Sequence, residues 1–195
     1  TPKAVFEKII QEFPIEKVIA NRDYEPYAME RDEAIKQLLK AQDIDFITYK
    51  DQVIFERNEV VKDDGNPYKV YTPYSRKWLA KYQAEGLEHF PSEDLLDNIY
   101  NENPLPQTDL KEMGMQSSSL TPVAYKFDDE LIDQYEATRN FPSIDKTSRL
   151  GVHLRFGTQS IRKLISKSAS RENQTFVKEL IWREFFMQIL WHFPH

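Results

Sequence analysis

Helical and strand patterns alternate over the first 49 residues of this chain of 195 residues. Thr1 and Pro2 make a favourable helix start, and apolar residues then recur at helical spacing until Pro14 ends the run. In order, the pattern predicts a helix over about 2–13, a short apolar strand at 18–20, a helix over 26–42 and a strand over 45–49. Because parallel neighbours in a sheet need a helix-length connection, this alternation indicates crossover units on a mostly parallel sheet.

Two strands are too few for such a sheet. A chain that begins at Thr1 in the middle of an α/β pattern is therefore expected to be a fragment whose earlier strands lie upstream. Further along, the Asp-Gly pair at 64–65 is a turn signal, and residues 68–71 predict another strand. The Thr-Pro pair at 72–73 then predicts the start of a helix.

Periodicity fades between about 84 and 125, where prolines and small polar residues are scattered through the sequence. So long a connection is unusual inside one compact domain, which predicts a connector that crosses between two domains and packs on their surfaces. From 126 onward the pattern is helical, with no strand signal. The predicted fold class is thus α/β followed by all-α, with an α/β unit over 1–83, a connector over 84–125 and a helical unit over 126–195.

The net charge of −6 is unevenly distributed along the chain. Residues 147–195 carry eight Lys or Arg and three Glu, whereas residues 1–146 hold the other 18 basic and 29 acidic side chains. This split suggests two units that face different partners, although a basic helical face that is merely solvated would look the same. The absence of Cys excludes disulfides and thiolate metal sites, and the lack of a long apolar run predicts a cytoplasmic protein.

A Thr-Ser pair followed by a basic residue lies at 147–149. If Thr147 and Ser148 open a helix, their hydroxyls, the free backbone N–H groups and the helix dipole suit a pyrophosphate. Arg149 could add a bidentate contact. The alternative is an ordinary helix N-cap without any ligand.

The pattern over 176–191 predicts a helix with two unlike faces. One face combines aromatic and charged side chains at intervals of three or four, namely Phe176, Glu179, Arg183 and Phe186, with Trp182 beside them. The opposing side is apolar and consists of Leu180, Ile181, Phe185, Ile189 and Leu190. The alternative is an ion pair between Glu179 and Arg183, with the aromatic rings packed in the core.

Several separate motifs occur here in a characteristic order. They read Y-x3-R-x-x-P-x4-TSRL-x6-G-x-x-S-x-R from Tyr135, followed by ELIWREFF from Glu179. Together they resemble the flavin-binding core of the DNA photolyase/cryptochrome family, and segments 21–32 and 68–78 add a weaker match. The resemblance implies FAD as cofactor, UV-damaged DNA as partner, and a light-dependent lyase that splits pyrimidine dimers. It also implies a monomeric full-length protein without a metal or a membrane.

The resemblance also assigns roles to individual residues. It implies FAD contacts for Tyr135, Thr147, Ser148, Arg149, Leu150, Gly151, Phe176 and Arg183. It implies DNA contacts for Arg139, Glu179, Trp182, Arg183 and Phe186, with Glu179 bonding the damaged pyrimidine and Trp182 stacking on it as the catalytic pair. Arg155 and Arg171 are further candidates for phosphate contacts. Phe176 stands where the family usually has Trp, and a carboxylate at Glu179 favours cyclobutane-dimer repair, because related branches usually carry Gln.

The family architecture implies how the chain is divided. The first unit resembles the second half of a Rossmann-like antenna domain, and the helical unit resembles the start of the FAD-binding domain. Folate-type members carry an Asn-Glu pair where Tyr27 and Ala28 stand, which disfavours folate and leaves the antenna pigment open. As an internal slice, the chain alone is expected to bind FAD poorly and to repair nothing. A cryptochrome-like photoreceptor and a flavin-free relative remain the alternatives.

Overall fold

The computed structural model describes residues 1–99, 109–121 and 123–194. Its helices and strands are α1 Pro2–Glu12, β1 Lys17–Asn21, α2 Pro26–Lys40, β2 Asp45–Tyr49, α3 Tyr71–Glu85, a 3-10 helix Ser92–Asn98, α4 Asp129–Thr138, α5 Gly151–Arg155, α6 Ile161–Ala169 and α7 Thr175–His192. The four predicted elements of the first 49 residues are confirmed to within two residues at each end. No helix of the described residues is both long and apolar enough to cross a membrane.

The two strands pair in parallel, as the alternation predicts. Val18 lies opposite Phe46, and the register continues from Lys17 and Asp45 to Asn21 and Tyr49. The helix between the strands, α2, returns the chain to the same end of the sheet and packs on β2 and α1. A small core of Ile35, Leu39 and Ile44 fills the space between these elements.

The predicted strand at 68–71 is wrong. The Asp-Gly turn does form, because Lys62 and Gly65 are hydrogen-bonded across it, but no strand follows. Among the described residues the sheet has only β1 and β2, so the segment has no neighbour to pair with. Its tyrosines instead pack on helices: Tyr68 lies edge-on to Tyr74, and Tyr71 is the first residue of α3.

A larger core joins distant parts of the chain. It contains Ile54, Phe55 and Val60 from the loop after β2, and Tyr74 and Trp78 from α3. The same core includes buried side chains of α4, α6 and α7, namely Leu131, Ile132, Ile161, Leu164, Ile165, Phe176, Val177, Leu180, Ile181 and Phe185. The loop after β2 and the helix α3 therefore pack on the later helices, and α3 is in direct contact with α7.

The division into 1–83, 84–125 and 126–195 stays a prediction. Part of the proposed connector, 100–108 and residue 122, lies outside the described residues, as does residue 195. In the described part, residues 92–98 form the 3-10 helix, and several apolar side chains of 109–123 are exposed.

Two later helices, α4 and α6, begin at polar side-chain caps. Asp128 accepts from the N–H of Leu131 at the start of α4, and Ser160 caps α6 in the same way. The side chain of Asn173 accepts from the N–H of Thr175, where α7 begins. Both α4 and α6 pack on α7.

Candidate functional site

Trp182 is part of an aromatic cluster on one side of α7. The ring of Tyr71 stacks on its indole with centroids 3.7 Å apart and planes 8° from parallel. Phe186, one turn further along α7, lies 5.5 Å from the indole at 27° and is 61% exposed. Phe185 meets the indole edge-on from the core side. The cluster thus runs from a buried end to an exposed phenyl ring.

Glu179 lies one turn before this cluster and forms an ion pair with Arg139, at the end of α4. Both side chains are about one-third exposed. The pair uses Oε1 of Glu179, and the guanidinium of Arg139 lies 5.6 Å from the ring centre of Tyr135. Burial and the nearby carboxylate of Glu179 together raise the pKa of Tyr135.

Phe176 lies beneath this pair, inside the core. Its ring is 3% exposed and is enclosed by Phe127 at 5.2 Å and Tyr135 at 4.9 Å. The structure thus brings together Tyr135, Arg139, Phe176, Glu179 and Trp182, from segments about 40 residues apart. Of these five, Phe176 is covered on this side by protein rather than open to a ligand.

Arg183 is not the partner of Glu179. It donates to the backbone carbonyl of Gln52 at 2.7 Å, in the loop after β2. Burial lowers the pKa of the Arg183 guanidinium, although the neighbouring Glu184 opposes this effect. The alternative of a Glu179–Arg183 pair is therefore wrong, because each side chain has a partner from another segment.

The prediction that Thr147 and Ser148 open a helix is also wrong. The helix α5 begins at Gly151, and no side chain caps it. Arg149 has a left-handed backbone with φ of 55°, which breaks any helix before it. Its guanidinium pairs with Asp145 at 2.7 Å. The carbonyl of Ser148 accepts from the N–H of Lys126, which holds this segment as a loop.

The loop is anchored by Leu150, which is buried in the large core. Next to it, Val123, Arg149, Gly151 and Val152 line a cavity of about 570 Å³. A side chain at Gly151 would meet no atom within 4 Å, so the backbone there is open to a ligand. The hydroxyls of Thr147 and Ser148 and the N–H groups that open α5 are donors of the kind that a phosphate needs. Thr147 and Ser148 themselves are not among the residues that line this cavity.

The loop and α7 are linked through the large core, which contains Leu150 and buried side chains of α7. Among the described residues, no hydrogen bond or aromatic contact joins 147–149 to Glu179 or Trp182, and no residue of α7 lines the cavity beside Arg149. A shared cavity for both groups stays a prediction.

The basic side chains of residues 147–194 are mostly paired within the chain. Six of them have carboxylate partners, in the pairs Arg149–Asp145, Arg155–Glu25, Arg162–Asp51, Lys163–Glu93, Lys167–Asp129 and Arg171–Asp129. Arg171 also forms a two-pronged pair with Asp133. Arg155 and Arg171, predicted as phosphate contacts, are therefore both engaged with acidic side chains.

Comparisons with known proteins match both parts of the chain. The DNA photolyase family model matches residues 1–94. The deoxyribodipyrimidine photo-lyase of Alkalihalophilus pseudofirmus is 30% identical over the whole chain, and the chain spans 44% of that protein. The chain therefore matches the DNA photolyase family over residues 1–94 and is similar to a photo-lyase over its whole length. It thus spans less than half the length of this photo-lyase relative.

Solved structures of the family share the fold. A class III photolyase from Agrobacterium tumefaciens superposes with a TM-score of 0.76 at 24% identity, covering 98% of this chain and 44% of its own. The cryptochrome of Synechocystis sp. PCC6803 gives 0.71 at 16% identity, covering 97% and 44%. At these identities the likeness concerns the fold: an α/β part followed by helices.

Glu184 is a buried carboxylate of α7 to which the sequence analysis assigned no role. It is 2% exposed and accepts hydrogen bonds from the N–H groups of Ile54 at 2.6 Å and Phe55 at 3.0 Å. The indole N–H of Trp78 at 2.5 Å and the hydroxyl of Tyr74 at 3.4 Å also donate to it. Burial raises the pKa of Glu184 to about 7, although these hydrogen bonds oppose the effect. Its signal in the sequence is a carboxylate at helical spacing among the apolar residues of α7.

A second missed cluster joins β1 to the loop after β2. Arg22 forms a two-pronged ion pair with Glu56, and Tyr24 donates to the same carboxylate at 2.8 Å. Burial opposes ionisation, yet the hydrogen bonds from Arg22 and Tyr24 lower the pKa of Glu56. Beside this cluster lies a cavity of about 270 Å³, lined in part by Phe46 and Trp191.

Proposed function

We propose that this chain belongs to a light-dependent deoxyribodipyrimidine photo-lyase, which uses FAD to split cyclobutane pyrimidine dimers in DNA. The observation that carries the proposal is the placement of Glu179 and Trp182 side by side on a partly exposed face of α7. That face combines a hydrogen-bond acceptor with a flat aromatic surface, which is what an extruded pyrimidine requires.

FAD would be held by two groups of residues. Thr147, Ser148 and Gly151 offer hydroxyl and backbone donors to its phosphates, and the half-buried Tyr135 offers an aromatic edge. Leu150 and Phe176 are buried and support these positions from below. When bound, FAD supplies the light-absorbing electron donor, and the protein supplies position and exclusion of water.

Arg139 prepares Glu179 for its role. Because Arg139 donates to Oε1, the ion pair fixes the carboxylate and leaves Oε2 to accept from a pyrimidine N–H. Trp182 would stack on the extruded bases, with Phe186 extending the aromatic surface. A dimer is already poorly stacked in the duplex, so its extrusion costs on the order of a few kcal/mol and is easier than that of a normal base.

Further properties belong to the same proposal. The full-length protein would be a cytoplasmic monomer with UV-damaged DNA as its partner, and residues 1–83 would be part of its antenna domain. A light-harvesting pigment would be sought in the cavity beside Arg22 and Trp191. The buried methyl of Ala28 offers no polar contact, which agrees with a pigment other than folate.

The test uses the intact protein in three steps. Its absorption spectrum should show flavin bands, and it should restore thymine-dimer DNA under blue light but not in the dark. The variant E179Q should lower the repair rate by about tenfold, because a hydrogen bond to a charged acceptor is weakened. E172Q, which changes an exposed glutamate before α7, is the matched control and should repair normally.

The outcomes separate the candidates. Flavin bands and photoreduction without repair would favour the photoreceptor alternative, whose fold the cryptochrome shares. A colourless intact protein would exclude both flavin functions.

A further inference from the structure

We infer that Tyr71 is a positioning residue of the proposed dimer site, where it backs one face of Trp182 so that bases stack on the other. This inference rests on the proposed function. Tyr71 begins α3, more than 100 residues before Trp182, and the family resemblance assigns no role in the site to it.

Three contacts hold the ring of Tyr71 in place. The ring covers the indole with centroids 3.7 Å apart and an interplanar angle of 8°. Its hydroxyl donates to the carbonyl of Lys178 at 2.8 Å, one turn before Trp182 on the same helix. Phe185 packs edge-on to it with centroids 5.9 Å apart. The stacked ring contacts Trp182 and the hydroxyl binds the carbonyl of Lys178, and both residues are on α7. Tyr71 therefore holds the indole of Trp182 in a fixed position relative to α7.

The hydrogen bond from the Tyr71 hydroxyl to the carbonyl of Lys178 persists at neutral and moderately alkaline pH. Burial and the nearby carboxylate of Glu179 raise the pKa of Tyr71 to about 12, so the phenol keeps its proton and continues to donate. The ring of Tyr71 therefore stays neutral and keeps its position against Trp182.

Trp182 itself is only partly buried. Phe186 lies beside the indole at a shallow angle and is largely exposed, so the aromatic surface continues from Trp182 to the outside of the chain. A preorganised ring binds a base better than a mobile ring, because less side-chain freedom is lost on binding.

The chain contains an internal comparison for this arrangement. Tyr82 stacks on Trp78 with centroids 5.4 Å apart and planes at 17°. Trp78, however, is fully buried, and its indole N–H is used by Glu184. The same pair of residue types therefore lies inside the core at one place and in a partly buried position at the other.

The experiment measures binding in the dark, where no repair occurs. The probes are a short single-stranded oligonucleotide with one thymine dimer and the same oligonucleotide without it, bound to the intact protein. The readout is the ratio of the two dissociation constants. In Y71L the ratio should fall about five- to twentyfold, at the lower end of what loss of a stacked ring causes, while affinity for undamaged DNA stays the same. Y82L, the matched control, should keep the wild-type ratio.

Near-UV circular dichroism shows whether each variant is folded. If Y71L is unfolded, Y71F replaces it: loss of the hydroxyl anchor alone should lower the ratio about two- to threefold, since one restraint of three is removed. If the wild type discriminates between the two probes and a folded Y71L or Y71F keeps the wild-type ratio of dissociation constants, the inference alone is overturned. A wild-type protein that does not discriminate between the probes would overturn the proposed function and the inference together.

Discussion

A single carboxylate, that of Glu184, connects α7 to backbone 130 residues earlier in the chain. The N–H groups of Ile54 and Phe55 lie in a loop without a strand partner, so they would be buried donors without an acceptor if Glu184 were absent. Trp78 depends on the same carboxylate for its indole N–H. Glu184 therefore satisfies several buried donors at once, which explains a charged residue type in this core.

Replacing Glu184 by Gln should destabilise the protein. An amide has one acceptor oxygen and directs its NH₂ group at a donor, so at least one buried N–H loses its partner. We expect the free energy of unfolding to fall by about 2 kcal/mol or more, measured by urea denaturation. E172Q should unfold like the wild type. Equal stability of E184Q and the wild type would show that the network contributes nothing.

The docking of α7 on the loop after β2 should depend on pH. The pKa of Glu184 is raised from 4.5 to about 7 in the folded chain, so between these values the folded state binds more protons than the unfolded state. Stability from this group is therefore largest at low pH and is lost as pH rises towards 7. The nearby Tyr74 keeps its proton in this range and Arg183 keeps its charge, so neither changes the sign.

The measurement compares the wild type with E184Q at pH 5 and pH 7.5. The difference in unfolding free energy between the two proteins should be smaller at pH 7.5, because only the wild type loses the contribution of Glu184 as the pH rises. Other titrating groups, including Glu56, are present in both proteins and cancel in the comparison. A difference that stays constant would contradict the raised pKa of Glu184.

The elements that could be predicted are those whose signals are local. Both α1 and α2 follow from apolar spacing and flanking prolines, and the two strands follow from short apolar runs between them. The strand at 68–71 could not be excluded from its own residues, because a strand exists only where a neighbour pairs with it. The start of α5 was missed because the left-handed backbone of Arg149 has no signal in its side chain.

At the scale of the whole molecule, the basic excess of residues 147–195 is mostly neutralised by acidic side chains of earlier segments. Arg171 illustrates this, since it connects α4 to the turn before α7 through Asp129 and Asp133. The charge split read from the sequence is real, but in the folded chain it contributes to internal pairing. Surface charge alone is therefore a poor guide to where DNA binds on this part of the molecule.

This distribution predicts the behaviour of R171A. Thermal unfolding should shift to a slightly lower temperature, because the link between α4 and α7 is lost, while the dissociation constant for damaged DNA should stay within about twofold. K178A removes an exposed lysine from α7 and is the control for a change of charge without a lost pair. A large loss of DNA affinity in R171A alone would restore Arg171 as a phosphate contact.

The candidate site was predictable only in part, because some of its contacts join residues that are far apart in the sequence. Periodicity placed Glu179 and Trp182 on one helix, and the order of motifs placed Tyr135 and Arg139 near them. Tyr71 lies 111 positions before Trp182, a separation at which helical and strand periodicities carry no information. Such contacts are determined by how the elements pack, which requires the folded chain.

The large core also determines when this polypeptide can become stable during translation. Trp78 leaves the ribosome 106 residues before its partner Glu184, a delay of about 5–20 s at ordinary synthesis rates. During that interval α3 has no α7 to cover its aromatic side, so the nascent segment exposes apolar surface to water. Ribosome-associated chaperones are suited to shield such a segment until the later helices have been made.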